Sequence, residues 1–278
     1  MFGLIAAFTQ AGGIIIDKFT LTRKQVELRV FIPLLFLFLF LLTAVFFPFL
    51  GKISVKILEP QYLILFGVMI VTAIIWNVFY YRGAQAEKVH EFEAIVMFQP
   101  LITIILASIF LKSEQSIYVV ITSVVASIAL VVAHIKKEHF EMSIDSWGLV
   151  LAVVLMSFEL IAIDLLLKVI SPVALYCVRT GILFIFFWFY YKPKVGRVAN
   201  SNIWLIFATS ALGVVQMVTK FYGFESSGVV FTSLILILAP VLTYLYSAIF
   251  FHEGFKLRQT LSFGIILVCV IFASLAGK

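Results

Sequence analysis

A proline inside an apolar run occurs twice in this chain, 140 residues apart and in the same surroundings. Tyr81-Arg82-Gly83 is followed, seventeen residues after the glycine, by Pro100 and then Thr103, Ile109 and Phe110; Phe221-Tyr222-Gly223 is followed at the same spacing by Pro240, Thr243, Ile249 and Phe250. Each proline removes the amide that would bond the carbonyl four residues back, that of Val96 or Leu236. In lipid such a gap is tolerated only where neighbours, water or a ligand satisfy the carbonyl again. Either proline alone could be a kink that merely packs, but recurrence in register marks a duplicated architecture.

Whether the runs lie in lipid is a question of composition. Hydrophobic residues make up 63% of the chain and charged residues 12%, against roughly a quarter charged in soluble domains. Mean hydropathy is +1.17. Such a chain cannot cover its apolar surface in water, and an integral, multi-pass membrane protein is expected. The net charge of +6 is carried mostly in short loops, so it reads as membrane-flanking lysine and arginine, and no nucleic-acid partner is expected. Cys177 and Cys269 both lie in apolar runs, where they read as small packing residues. No basic segment precedes the first apolar run, so no cleavable signal peptide is expected.

A helix needs about 20 residues to cross roughly 30 Å of hydrocarbon. Ten candidate spans follow: 1–16, 30–50, 62–81, 94–111, 117–135, 147–167, 172–191, 203–222, 229–251 and 261–276. The expected fold is therefore all-α, with ten transmembrane helices. Lys18 and Arg29 are matched by Lys168 and Arg179 at an offset of 150, which falls to 140 from the third span onward. A longer loop around 49–60 accounts for the change without disturbing a helix. The units are then 1–139 and 140–278, with five spans each. Because five is odd, the second must cross the membrane in the opposite sense, giving an inverted repeat with its site expected between the halves.

A lysine closing the first helix, an arginine opening the second, and a proline in the fourth followed by a glutamate (Pro100 to Glu114, Pro240 to Glu253) resemble the EamA-type branch of the drug/metabolite transporter superfamily. The resemblance covers nearly the whole chain. It implies a transporter and no enzyme, with a small-molecule substrate, the lipid bilayer as partner, and a prokaryotic inner membrane as location; a homodimer is left open. It also implies cytoplasmic termini. Loop charge points the other way: thirteen lysines and arginines flank the odd-numbered loops and six the opposite side, which places the odd loops in the cytoplasm.

Chemistry is expected where charge is costly. Glu159 lies twelve residues into the sixth span, about 18 Å along a helix and near mid-bilayer. A carboxylate there costs several kcal/mol unless it is protonated, paired or wet. That suits a proton carrier or a counter-ion for a cationic substrate, and equally an acid satisfied by a neighbouring helix. Asp164 has Lys168 on its own face four residues on, as in an edge ion pair, and Asp17 beside Lys18 reads as interfacial. Trp76, Asn77 and Tyr80 correspond at 140 residues to Gln216, Met217 and Lys220. Amide and indole groups at midspan can hold a zwitterion or amine, with Gln10 and Gln99 adding donors, or can serve as polar glue between helices. Lys220, about 26 Å along its span, is expected to snorkel to the interface. Glu91 and Glu93 open the fourth span and would mark a cavity mouth or answer its helix dipole.

No phosphate-binding glycine loop, paired-cysteine motif or His-x-x-x-His is present, and His90, His134, His139 and His252 are scattered. No metal or cofactor is expected. The reading is a secondary-active transporter of a small polar metabolite, an amino acid or organic amine, coupled to protons or working by exchange. Glu159 would carry the proton, Pro100 and Pro240 would break helices beside the cavity, and Gln10, Trp76, Asn77, Tyr80, Gln99, Glu159 and Gln216 would bind substrate. The rival is a membrane scaffold or lipid-binding protein that kept the fold, and a dry cavity plugged by Trp76 and Tyr80 would favour it.

Overall fold

Apolar runs joined by short polar turns can satisfy their backbone in lipid only as helices, and helices are what the computed structural model contains. It describes residues 1–23, 26–86, 92, 95–111, 117–134, 143–197, 199–242 and 257–276. Among these lie ten α-helices. In chain order they are α1 (Phe2–Lys18), α2 (Leu28–Leu50), α3 (Pro60–Ala86), α4 (Gln99–Phe110), α5 (Ile117–His134), α6 (Ile144–Leu167), α7 (Pro172–Tyr191), α8 (Asn200–Ser227), α9 (Val229–Leu236) and α10 (Leu257–Ala276). Six stretches are long and apolar enough to cross a membrane: Phe2–Leu21, in which a π-helical turn prolongs α1, and α2, α3, α6, α7 and α8. The apolar parts of α4, α5, α9 and α10 are shorter. The chain is an all-α membrane protein.

Local sequence sets the helix ends. α3 and α7 open on Pro60 and Pro172, where the missing amide has no helical partner to lose. α6 opens on a cap in which Ser143 Oγ accepts the Ser146 amide at 3.0 Å, with Asp145 in the first turn. The helices are interrupted before both repeated prolines. Ile95 and Val96 are helical, Met97 and Phe98 turn, and α4 starts at Gln99; α9 ends at Leu236, Ile237 turns, and residues 238–242 are helical again. Each break comes directly after the carbonyl that its proline leaves without an amide, Val96 before Pro100 and Leu236 before Pro240.

The broadest helix interfaces are α1 with α8, α3 with α6, α2 with α7, and α5 with α10; α4 also packs on α9. Exchanging the first five helices for the last five leaves this set unchanged. Small residues permit the close approach that membrane helices need. A Cβ on Gly83 would lie 3.2 Å from Leu149 of α6, and one on Gly223 would lie 2.8 Å from Thr232 of α9. Both glycines of the repeated motif are therefore contact positions, although against different helices.

The longer loop between α2 and α3 reaches the loop between α6 and α7. The Ser54 amide donates to Val169 O at 2.9 Å and the Ser171 amide to Lys52 O at 2.8 Å, around an isolated bridge of Ile53 with Ile170. Ser171 Oγ accepts the Lys52 amide at 2.8 Å and donates to Leu50 O at 3.0 Å. The residues that break the repeat spacing thus strap the two sets of helices together on one side.

Candidate functional site

Polar side chains in the middle of an apolar helix must turn away from lipid. In α3, Trp76, Asn77, Tyr80 and Tyr81 face one central cavity, and in α8 the repeat positions Gln216, Met217 and Lys220 face it too. Gln10 and Asp17 of α1, Gln99 of α4, Glu159 of α6, and Tyr176 and Arg179 of α7 complete its polar wall. The cavity offers about 150 Å³ of room for water-sized molecules and opens on one side. All seven residues proposed from sequence as substrate ligands therefore share one cavity.

Glu159 and Arg179 form its centre. Arg179 Nε donates to Glu159 Oε1 at 2.6 Å and Nη2 to Oε2 at 3.2 Å, and Trp76 Nε1 donates to Oε2 at 2.6 Å. Both charged side chains are almost wholly buried. The planar fork of the guanidinium matches the carboxylate, and its carbon lies 5.9 Å from the centroid of the Trp76 ring. Three helices, α3, α6 and α7, are thus tied at a point where an unpaired charge would be very costly.

The other residues differ in how far their hydrogen bonds are already used. Asn77 Nδ2 donates within its own helix, to Ala73 O at 2.7 Å. Tyr80 stands edge-on to Trp76, Tyr81 and Phe92, with ring centroids 5.2 to 5.9 Å apart. Gln99 is buried directly after the break in α4, where Ser157 of α6 donates to its carbonyl at 3.3 Å and accepts from Thr103 Oγ1 at 3.0 Å. Gln10 Oε1 is buried without a hydrogen-bond partner among the described residues.

Residues 144–275 match the EamA-like transporter family. A crystal structure of a protein shares the fold of the chain from end to end, with a TM-score of 0.73 over 99% of this chain and 96% of its own, at 15% sequence identity. The family match in the second half and the fold shared over nearly the whole chain together support an EamA-type member of the drug/metabolite transporter superfamily. No curated protein sequence matches it.

Three charged residues lie elsewhere than the sequence suggested. Arg179 was read as opening the second helix of its repeat. α7 starts at Pro172, so Arg179 stands two turns inside it and pairs with Glu159. Its repeat partner Arg29 is the second residue of α2 and is exposed. Asp17 was placed at the interface but lines the cavity, accepting Thr209 Oγ1 at 2.7 Å. The reason is that α1 runs antiparallel to α8, with Phe2 stacked on Tyr222 and Gly12 against Leu212, and continues beyond Asp17 through its π turn. Lys220 was expected to snorkel and is buried, 6% exposed, with Nζ 5.7 Å from the Phe224 ring centroid. α8 runs seven residues past it to Ser227, about 10 Å, so the interface is out of its reach.

The two proline breaks also differ. Val96 and Gln99 on either side of the first break line the cavity, whereas no residue of 229–242 does; Ile237 at the second break lies in the packed core. Glu91, Glu93, Glu114, Glu253, Thr243, Ile249, Phe250, His90, His139 and His252 lie outside the described residues.

Proposed function

We propose that the protein is a secondary-active transporter that moves a small polar metabolite, an amino acid or organic amine, by alternating access. The units 1–139 and 140–278 would be inverted repeats that rock around the cavity. The observation that carries this reading is the cavity: fourteen polar, aromatic and charged residues from seven helices, in a bundle whose four broadest helix pairs are the same set when the halves are exchanged. A scaffold has no need of such a space. Trp76 and Tyr80 stand on its wall and leave it unfilled, which speaks against the non-transporting reading.

Coupling is assigned to Glu159. In the conformation described, Arg179 and Trp76 occupy its carboxylate; rocking that separates α6 from α7 would free it to take a proton from the cavity. The charges of Arg179 and Lys220 act on it. The test is counterflow in proteoliposomes with a panel of labelled amino acids, amines and quaternary ammonium compounds, which needs neither a known orientation nor a coupling ion. Accumulation of one class is expected. Silence across the panel from folded protein would count against transport of these compounds.

A further inference from the structure

The cavity is lined by two acidic and two basic side chains: Asp17 and Glu159, Arg179 and Lys220. Glu159 and Arg179 are bonded to one another, which leaves Asp17 and Lys220 to meet a ligand. A small molecule cannot meet both. Thr209, which holds Asp17, is eleven residues before Lys220 on α8, about 16 Å along the helix.

The surroundings of Lys220 differ from those of Asp17. Lys220 Nζ makes no salt bridge or hydrogen bond among the described residues; the charge of Glu159 acts on it from beyond salt-bridge distance, and the Phe224 ring centroid lies 5.7 Å away. Gln216 precedes it by one turn on the same face of α8. From α1, the contacts of Gly12 with Leu212 and of Phe2 with Tyr222 set Gln10 at the height between Gly213 and Gln216, within about 10 Å of Lys220 along the helix. Gln10 Oε1 is the buried acceptor without a donor. A buried cation in no salt bridge and a buried acceptor without a donor, both judged among the described residues, are each costly, and both face the same space.

We propose that this end of the cavity is the substrate's anchoring subsite, in which Lys220 Nζ holds a carboxylate and Gln10 Oε1 accepts an N–H of the neighbouring ammonium. The class of ligand is the zwitterionic amino acid. An organic amine lacking the carboxylate would bring a second positive charge beside Lys220, whereas a zwitterion adds no net charge to a low-dielectric site. This rests on the cavity being the substrate site of the proposed transporter.

The test uses the purified full chain in detergent and in proteoliposomes. The probes are L-alanine, L-leucine and L-phenylalanine beside their decarboxylated counterparts ethylamine, 3-methylbutylamine and 2-phenylethylamine. Direct binding and counterflow are measured for the wild type, Lys220→Gln, Lys220→Arg and Gln10→Leu. At least one amino acid is expected to bind about 30-fold or more tightly than its amine, Lys220→Gln to abolish that preference and Lys220→Arg to retain part of it. Gln10→Leu is expected to weaken the amino acid by about tenfold while leaving 4-methylpentanoate, which has the carboxylate and no ammonium, unchanged. Selective binding without counterflow would keep this subsite and refute transport. Amines binding as well as their parent acids, Lys220→Gln binding as the wild type does, or no binding of any probe by folded wild type would overturn the proposal.

Discussion

Arg29 and Arg179 hold the same place in the two halves of the sequence and opposite places in the protein. Arg29 sits exposed at the start of α2, while Arg179 is buried in α7 and bonded to Glu159. A similar contrast separates α3 from α8, in which Trp76 and Tyr80 face the cavity from the positions that carry Gln216 and Lys220 in the other half. The four broadest helix pairs are the same set when the two halves are exchanged. The charges differ between halves: three of the four in the cavity, Glu159, Arg179 and Lys220, belong to the second. Equivalent position in the two halves therefore fixes neither where a side chain points nor its chemistry: α3 and α8 share the cavity, whereas Arg29 and Arg179 do not share an environment.

The largest predicted effect breaks this comparison at its sharpest point. Arg179→Gln leaves the buried Glu159 unpaired and is expected to destabilise the protein by about 3–5 kcal/mol, whereas Arg29→Gln should change stability by less than about 0.5 kcal/mol. Thermal unfolding in detergent measures both, and equal shifts would refute the asymmetry. Removing the two charges together, Glu159→Gln with Arg179→Gln, is expected to restore much of the loss, because no unpaired ion remains.

A smaller effect distinguishes the repeated glycines. Gly223→Ala drives a methyl to within 2.8 Å of Thr232, while Gly83→Ala meets Leu149 at 3.2 Å. Overpacking is expected to cost about 1–3 kcal/mol at Gly223 and less at Gly83, where a leucine side chain can give; the reverse order in unfolding temperature would contradict the packing described. The smallest effect concerns the strap. Ser171→Ala deletes both hydrogen bonds of Ser171 Oγ, to Lys52 and to Leu50, and is expected to cost about 1 kcal/mol while speeding hydrogen exchange at residues 51–54. Unchanged exchange there would show that the hydroxyl does not hold the loop.

Much of the site was legible in the sequence because lipid is an unforgiving solvent. Gln10, Trp76, Asn77, Gln99, Glu159 and Gln216 are polar groups inside apolar runs, and a bilayer leaves them little choice but to face inward. The charges were harder to place. Arg179 fell inside the span 172–191 from the start, but alignment with Arg29 assigned it to a helix end; a mid-bilayer carboxylate in need of a cation was the signal that could have moved it. Asp17 and Lys220 were misjudged because depth was counted along the apolar stretch, whereas α8 runs five residues past that stretch to Ser227 and a π turn prolongs α1. The proline breaks followed directly from backbone chemistry. Which break would border the cavity depends on how α4 and α9 pack against the other helices, and no local pattern carries that.

The most direct measurement is counterflow of labelled amino acid across the pH range in proteoliposomes holding wild type or the paired variant Glu159→Gln with Arg179→Gln, each shown to be folded. The wild type is predicted to accumulate substrate at a rate that depends on pH, and the paired variant to have lost that dependence. A folded paired variant with the wild-type rate and pH profile would show that transport does not pass through this cavity.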